Sequence, residues 1–154
     1  MSYAVESWWP GAKIHRGRLE KAQRFYVQSL TNDYLSPYPT LLERLSLPPI
    51  WLLAQIRRLT LLRDYVHGER FVPNGTLPPP PSKARRSQRT NHNYTIELHA
   101  NKNAVSNSFF YSAVRIWNAL PGNVPGLAKR DYAAFMLSPA FTTLCTKLND
   151  SVHI

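Results

Sequence analysis

Four consecutive prolines, Pro78, Pro79, Pro80 and Pro81, and the basic run at residues 82–90 that follows them constrain this chain more than any other feature. A proline run favours a stiff polyproline II segment, and Lys83, Arg85, Arg86 and Arg89 come without apolar periodicity, so this stretch reads as a linker or exposed arm. Proline occurs 13 times in all, five of them within residues 73–81, and interrupts the patterning that a core needs. The expected organisation is a helical segment over 1–69, a Pro-rich and basic linker over 70–92, a short strand plus helix over 93–137, and a weakly ordered tail over 138–154. The fold class this implies is mainly α: a small irregular helical domain with at most one short strand or hairpin. No internal repeat is present.

The helices are read from apolar spacing and from their stop signals. Over residues 14–30, Leu19, Ala22, Tyr26 and Leu30, with Val27 beside them, recur at three and four, so they are expected to face inward. Arg16, Glu20 and Arg24 at i, i+4 are expected on an exposed face. Asn32-Asp33 ends this helix, residues 36–39 are expected to be extended or turned by their prolines, and residues 40–45 form a short helical turn. Pro48-Pro49 suits a helix start. From Ile50 to Val66 the stripe Leu52, Ile56, Leu59, Leu62, Val66 predicts a helix buried on more than one side, closed by Gly68, with Arg57, Arg58 and Arg63 as its solvated face. Tyr94, Ile96 and Leu98 alternate as in a short strand. Ser108 is expected to cap a helix over 109–120 with Phe110, Ala113, Val114 and Trp117 inward. Residues 129–137 form a further short helix carrying Tyr132, Phe135 and Met136, which Pro139 breaks.

Charge and composition bound the function. Lys and Arg outnumber Asp and Glu 19 to 9, a formal net charge of +10 that favours anionic partners, nucleic acid first among them. The longest apolar run, residues 50–54, is far short of the roughly 20 needed to cross a membrane, and the N-terminal residues lack the basic and apolar regions of a signal peptide. With one cysteine, Cys145, an intrachain disulfide is excluded. The expectation is an intracellular protein, cytoplasmic or nuclear and not secreted. The carboxylates are scattered, with no adjacent aspartates for a two-metal site. His15, His67, His92, His99 and His153 show no metal-ligand spacing, and no phosphate-binding glycine motif or nucleophile motif occurs. No catalytic residue, metal ligand or cofactor is therefore expected. Basic residues interleaved with aromatics, at Trp8, Trp9, Lys13, His15 and Arg16 and again at Arg115 with Trp117, suit base stacking combined with phosphate contact, although Trp117 lies on an apolar stripe and reads as core.

The order of the motifs carries a resemblance. Ser2-Tyr3-Ala4, Trp8, residues 18–24 (RLEKAQR), Tyr38, residues 42–48 (LERLSLP), Arg57-Arg58-Leu59, Asp64-Tyr65, His67-Gly68 and residues 107–121 (NSFFYSAVRIWNALP) follow one another along the chain. In this order and spacing, across residues 2–137, they resemble the C-terminal part of reverse transcriptases of non-LTR (LINE-type, jockey-like) retrotransposons, downstream of the catalytic palm. The Phe-to-Trp-Asn-x-Leu-Pro segment at 110–121 is its most specific part.

The resemblance implies that the aspartates of the RNA-directed DNA polymerase, and its endonuclease domain, lie upstream of the position equivalent to Met1. The chain would then be a truncated copy, without activity alone, whose partners are RNA or DNA, bound nonspecifically, and the missing upstream domains; no membrane is implied. Residues 18–24 would lie in or next to the helical thumb, making Lys13, Arg16, Arg18, Lys21 and Arg24 phosphate contacts, with Lys83, Arg85, Arg86 and Arg89 of the linker adding to them. After Leu137 the chain departs from the family's basic C-terminal helix, and no Cys/His knuckle is present. Two other readings stay open: a protein-interaction module using the polyproline run and helix surfaces, and a pseudogene product without selected function. A small hydrolase built on a converging histidine pair is a third.

Overall fold

The computed structural model describes Pro10, residues 13–71, Ile96 and residues 109–150, and over these residues the protein is mainly helical, as expected. Trp8, Trp9, Ser108, the proline run with its basic residues, and the expected strand apart from Ile96 all lie outside the described residues. The elements in order are α1 Lys13–Thr31, α2 Tyr38–Arg44, α3 Ile50–Val66, α4 Phe109–Asn118, a 3-10 turn Val124–Gly126, α5 Lys129–Met136 and α6 Pro139–Asp150. The chain forms two compact units, Met1–Gln55 and Ile56–Ile154, which divide inside α3.

In the first unit, Val27 of α1 packs with Leu41 and Leu42 of α2, with Tyr38 and Leu45 against them. Leu19 packs on Ile50 and Ala54, at the start of α3, beside Trp51. Burying such side chains stabilises by about 1.5–3 kcal/mol each. The inward side of α1 matches its apolar residues only in part: Leu19 and Val27 face inward as predicted, but Tyr26 and Leu30 are 56% and 59% exposed, while Glu20 and Gln23 are half-buried. The cause is the N-terminus of α3, whose first N–H groups have no intrahelical partner. Gln23 Oε1 accepts from Ile50 N at 2.6 Å and Glu20 Oε1 from Trp51 N at 2.8 Å, while Gln23 Nε2 donates to Pro48 O at 3.0 Å. Polar residues are thus turned inward to cap a helix that prolines start.

Helix α2 begins at Tyr38, inside the stretch expected to be extended, because Pro39 occupies the first turn, where a missing N–H is harmless. The first three helices each end on a left-handed residue: Asn32 at φ 50°, Ser46 at φ 52° and Gly68 at φ 71°. Behind them Asp33 N donates to Gln28 O, Leu47 N to Leu42 O and Glu69 N to Asp64 O, the long hydrogen bond of a Schellman end. Gly68 takes the place predicted for it.

The second unit gathers Leu59 and Leu62 of α3, Ala113, Val114, Ile116 and Trp117 of α4, Val124, Tyr132, Met136, Phe141 and Cys145 as buried residues. The Trp117 and Tyr132 rings lie 6.4 Å apart, and Phe135 meets Phe141 edge-on at 6.1 Å. Tyr132 Oη donates to Leu59 O at 3.2 Å. Asn118 makes both backbone bonds to Ile96, accepting from its N–H at 3.1 Å and donating to its C=O at 2.8 Å. The Trp-Asn-x-Leu-Pro residues therefore serve packing here: Trp117 and Leu120 are buried and Asn118 clamps the backbone of Ile96.

Two corrections concern this unit. The segment read as a weakly ordered tail is, over its described part, helix α6. Pro139 starts this helix instead of only ending the one before it: Ser138 Oγ accepts from Phe141 N at 3.4 Å as an N-cap, and Phe141 and Cys145, one turn apart, are buried. Burial pushes the Cys145 thiol up to about 12. Of the three arginines expected on the solvated face of α3, only Arg57 is exposed. Arg58 is buried and donates to Ser112 Oγ at 2.7 Å. Arg63 is buried, donating to Glu69 Oε1 at 2.8 Å and to Leu127 O at 3.3 Å, its guanidinium 5.5 Å from the Tyr132 ring centre.

Candidate nucleic-acid interface

The 19-residue helix α1 carries most of the basic residues that the sequence nominates, so its exposed side defines the site. Its inward side is fixed by the bonds of Glu20 and Gln23, and a third group locks them. Tyr38 Oη lies 3.1 Å from Glu20 Oε2 and 2.7 Å from Gln23 Oε1. Burial raises the Glu20 carboxyl above its ordinary range, against the lowering effect of the Trp51 N–H and the Tyr38 hydroxyl. Burial first, and then the Glu20 charge, raise the Tyr38 phenol. The helix is held as a platform.

On the outward side, Arg18, Lys21 and Arg24 are exposed, and no carboxylate of the described residues pairs with them. Arg16 differs: it is half-buried and its Nε donates to Pro10 O at 2.7 Å, which commits part of its guanidinium to the protein. The Lys13 side chain and Lys83, Arg85, Arg86 and Arg89 lie outside the described residues. Of the nine nominated cations, the structure therefore brings Arg18, Lys21 and Arg24 together on one helix and shows Arg16 engaged elsewhere.

Two residues of this surface escape the sequence reading. Phe25 is 68% exposed and follows Lys21 by one turn, so the two share a row along the helix. Ser29 is the next residue of that row, and the hydroxyl of Tyr34, 56% exposed, reaches it at 3.4 Å. Tyr34 stands in a turn built by Asp33, whose Oδ1 accepts from Ser36 N at 3.0 Å and Leu35 N at 3.2 Å while Oδ2 pairs with Arg44 at 3.3 Å. The Ser36 N–H foremost, with the Ser36 side chain, Leu35 and Arg44 adding to it, holds the Asp33 carboxyl down at about 2. The signal in the sequence was the i, i+4 spacing of Lys21 and Phe25; it is hidden because an apolar residue in a helix is ordinarily assigned to the core.

The remaining aromatic and basic pair separates. Trp117 is fully buried, as its stripe predicted, and Arg115 is exposed with Nη2 on Leu148 O at 3.2 Å. Among the described residues no helix is long and apolar enough to cross a membrane, and no three His, Cys, Asp or Glu side chains gather as a metal would need. Compared with protein families, with curated proteins and with solved structures, the chain finds no match.

Proposed function

We propose that this chain corresponds to the region downstream of the palm in a non-LTR retrotransposon reverse transcriptase, and that its own contribution is a grip on the nucleic-acid backbone by α1. The motif order over residues 2–137 supports the origin. The observation that carries the grip is the exposure of Arg18, Lys21 and Arg24, unpaired with any described carboxylate, on a helix anchored by Gln23 and Glu20. Cations so placed meet phosphates without first breaking an internal ion pair, and they carry no base-reading geometry, so binding is nonspecific.

Salt titration of the purified chain against duplex DNA tests it. Each phosphate contact adds about −0.9 to the slope of log K against log salt, so replacing Arg18, Lys21 and Arg24 together by Ala removes about 2.7 from the wild-type slope. Tight binding insensitive to salt, or a slope unmoved in the triple variant, would sink the assignment. The apolar residues exposed on α1 favour the second reading, a protein-interaction module; a protein partner retained through nuclease treatment and high salt would transfer the function to it.

A further inference from the structure

We infer that the outward face of α1 is a single-strand site, in which unpaired bases of RNA or DNA stack on Phe25 and Tyr34 while Arg18, Lys21 and Arg24 hold the phosphates. This rests on the nucleic-acid reading above and names its substrate class. The face presents two chemistries at once. Its three cations have no described carboxylate partner, so its occupant is anionic. Its aromatic rings stay in water, Phe25 at 68% and Tyr34 at 56% exposed, although the same unit buries Val27, Leu41 and Leu42. Duplex DNA meets only the first of these, since its bases are stacked on one another and its outer surface is phosphate and sugar. A single strand meets both, because every unpaired base has a free face for a ring.

The geometry orders the two chemistries along one line. Arg18 and Lys21 stand three residues apart, Phe25 is one turn beyond Lys21, Ser29 one turn beyond Phe25, and Tyr34 is tethered to Ser29 through its hydroxyl at 3.4 Å. A helix rises about 1.5 Å per residue, so cations and first ring span roughly two turns, the reach of a few nucleotides. Tyr34 is presented by the Asp33 turn rather than by a free loop, which limits the entropy lost on stacking. The platform requires aromatic faces and not merely apolar bulk.

The test uses the full chain with labelled oligouridine, oligothymidine and a mixed-sequence DNA duplex, in wild type, Phe25→Ala, Phe25→Leu, Phe25→Tyr and Tyr34→Ala. Circular dichroism accompanies each variant, and exposed Phe25 makes loss of fold unexpected. The expected result is that Phe25→Ala and Phe25→Leu weaken both single strands about tenfold, leave duplex affinity and the salt slope unchanged, and that Phe25→Tyr restores wild-type binding. Tyr34→Ala acts in the same direction. Equal binding of single strand and duplex with no effect of Phe25→Ala overturns this inference and leaves the backbone grip standing; absence of binding to every probe overturns both. Self-association, or binding to anionic vesicles, that is lost in Phe25→Ala while nucleic-acid binding persists assigns the rings to a second copy or a lipid surface, and likewise overturns it.

Discussion

The junction of Glu20, Gln23 and Tyr38 is short of one proton when Glu20 is ionised. Tyr38 has a single hydrogen and two acceptors beside it, Gln23 Oε1 at 2.7 Å and Glu20 Oε2 at 3.1 Å. Because burial raises the Glu20 carboxyl, the fold favours the protonated acid, and that contribution is present below the ordinary value of 4.5 and lost as pH rises through the raised one. Glu20→Gln keeps an oxygen for the Trp51 N–H and adds an amide donor toward Tyr38. The variant is expected to gain about 1 kcal/mol at neutral pH, the worth of one hydrogen bond, and to lose the wild type's rise in stability on mild acidification. Urea midpoints at pH 7 and pH 4 check this. A loss at neutral pH would show that a negative charge at the N-terminus of α3 outweighs its desolvation.

At the scale of elements, α3 was legible to its ends and α6 was missed. Helix α3 combines a proline start, a long apolar stripe and a terminal glycine, each a local signal. Helix α6 has an N-cap serine and a proline at its first position, but its inward residues include Cys145 and its outward ones a run of threonines, so the apolar stripe is thin. Proline after a short helix signals an ending, although at the first position of a helix it is equally a beginning. The docking of α6 rests on fully buried Phe141 against Phe135. Phe141→Ala is expected to cost about 3–5 kcal/mol in urea unfolding; a cost under about 1 kcal/mol would mean that α6 contributes little to this unit.

For the molecule as a whole, the largest departure from sequence expectation is the ion cluster of the second unit. Buried Arg63 meets Glu69 at 2.8 Å and Asp64 at 3.8 Å, and Lys129 reaches Glu69 at 3.1 Å and Asp64 at 3.7 Å. The hydrogen bond from Arg63 first, and that from Lys129 second, hold the Glu69 carboxyl down at about 2. A lowered carboxyl contributes stability above its ordinary value of 4.5 that fades as pH falls toward 2. Arg63→Ala is expected to cost about 1.5–3 kcal/mol at neutral pH, because it removes the hydrogen bonds to Glu69 and Leu127 O while Asp64 keeps Arg70 at 3.4 Å and Lys129 at 3.7 Å, and to flatten the acid limb of the stability profile. Chemical denaturation across that pH range measures both; an unchanged acid limb would detach Glu69 from Arg63.

The sequence by itself determined where the helices other than α6 lie, since period, proline position and left-handed ends act over a few residues. It also set a cationic chain, poor in carboxylates, whose α1 offers Arg18, Lys21 and Arg24. Only the tertiary structure decided which side of each helix faces inward. Glu20 turns in because Trp51, 31 residues away, needs an acceptor, and Arg63 is buried because Leu127 O, 64 residues away, and the Tyr132 ring receive it. With its polar row inward, α1 is left with Phe25 in water beside its cations. Hydrophobic periodicity ranks residues by their own transfer energy, whereas the orphan N–H of a distant helix end makes a buried glutamate or glutamine worth more than a buried tyrosine.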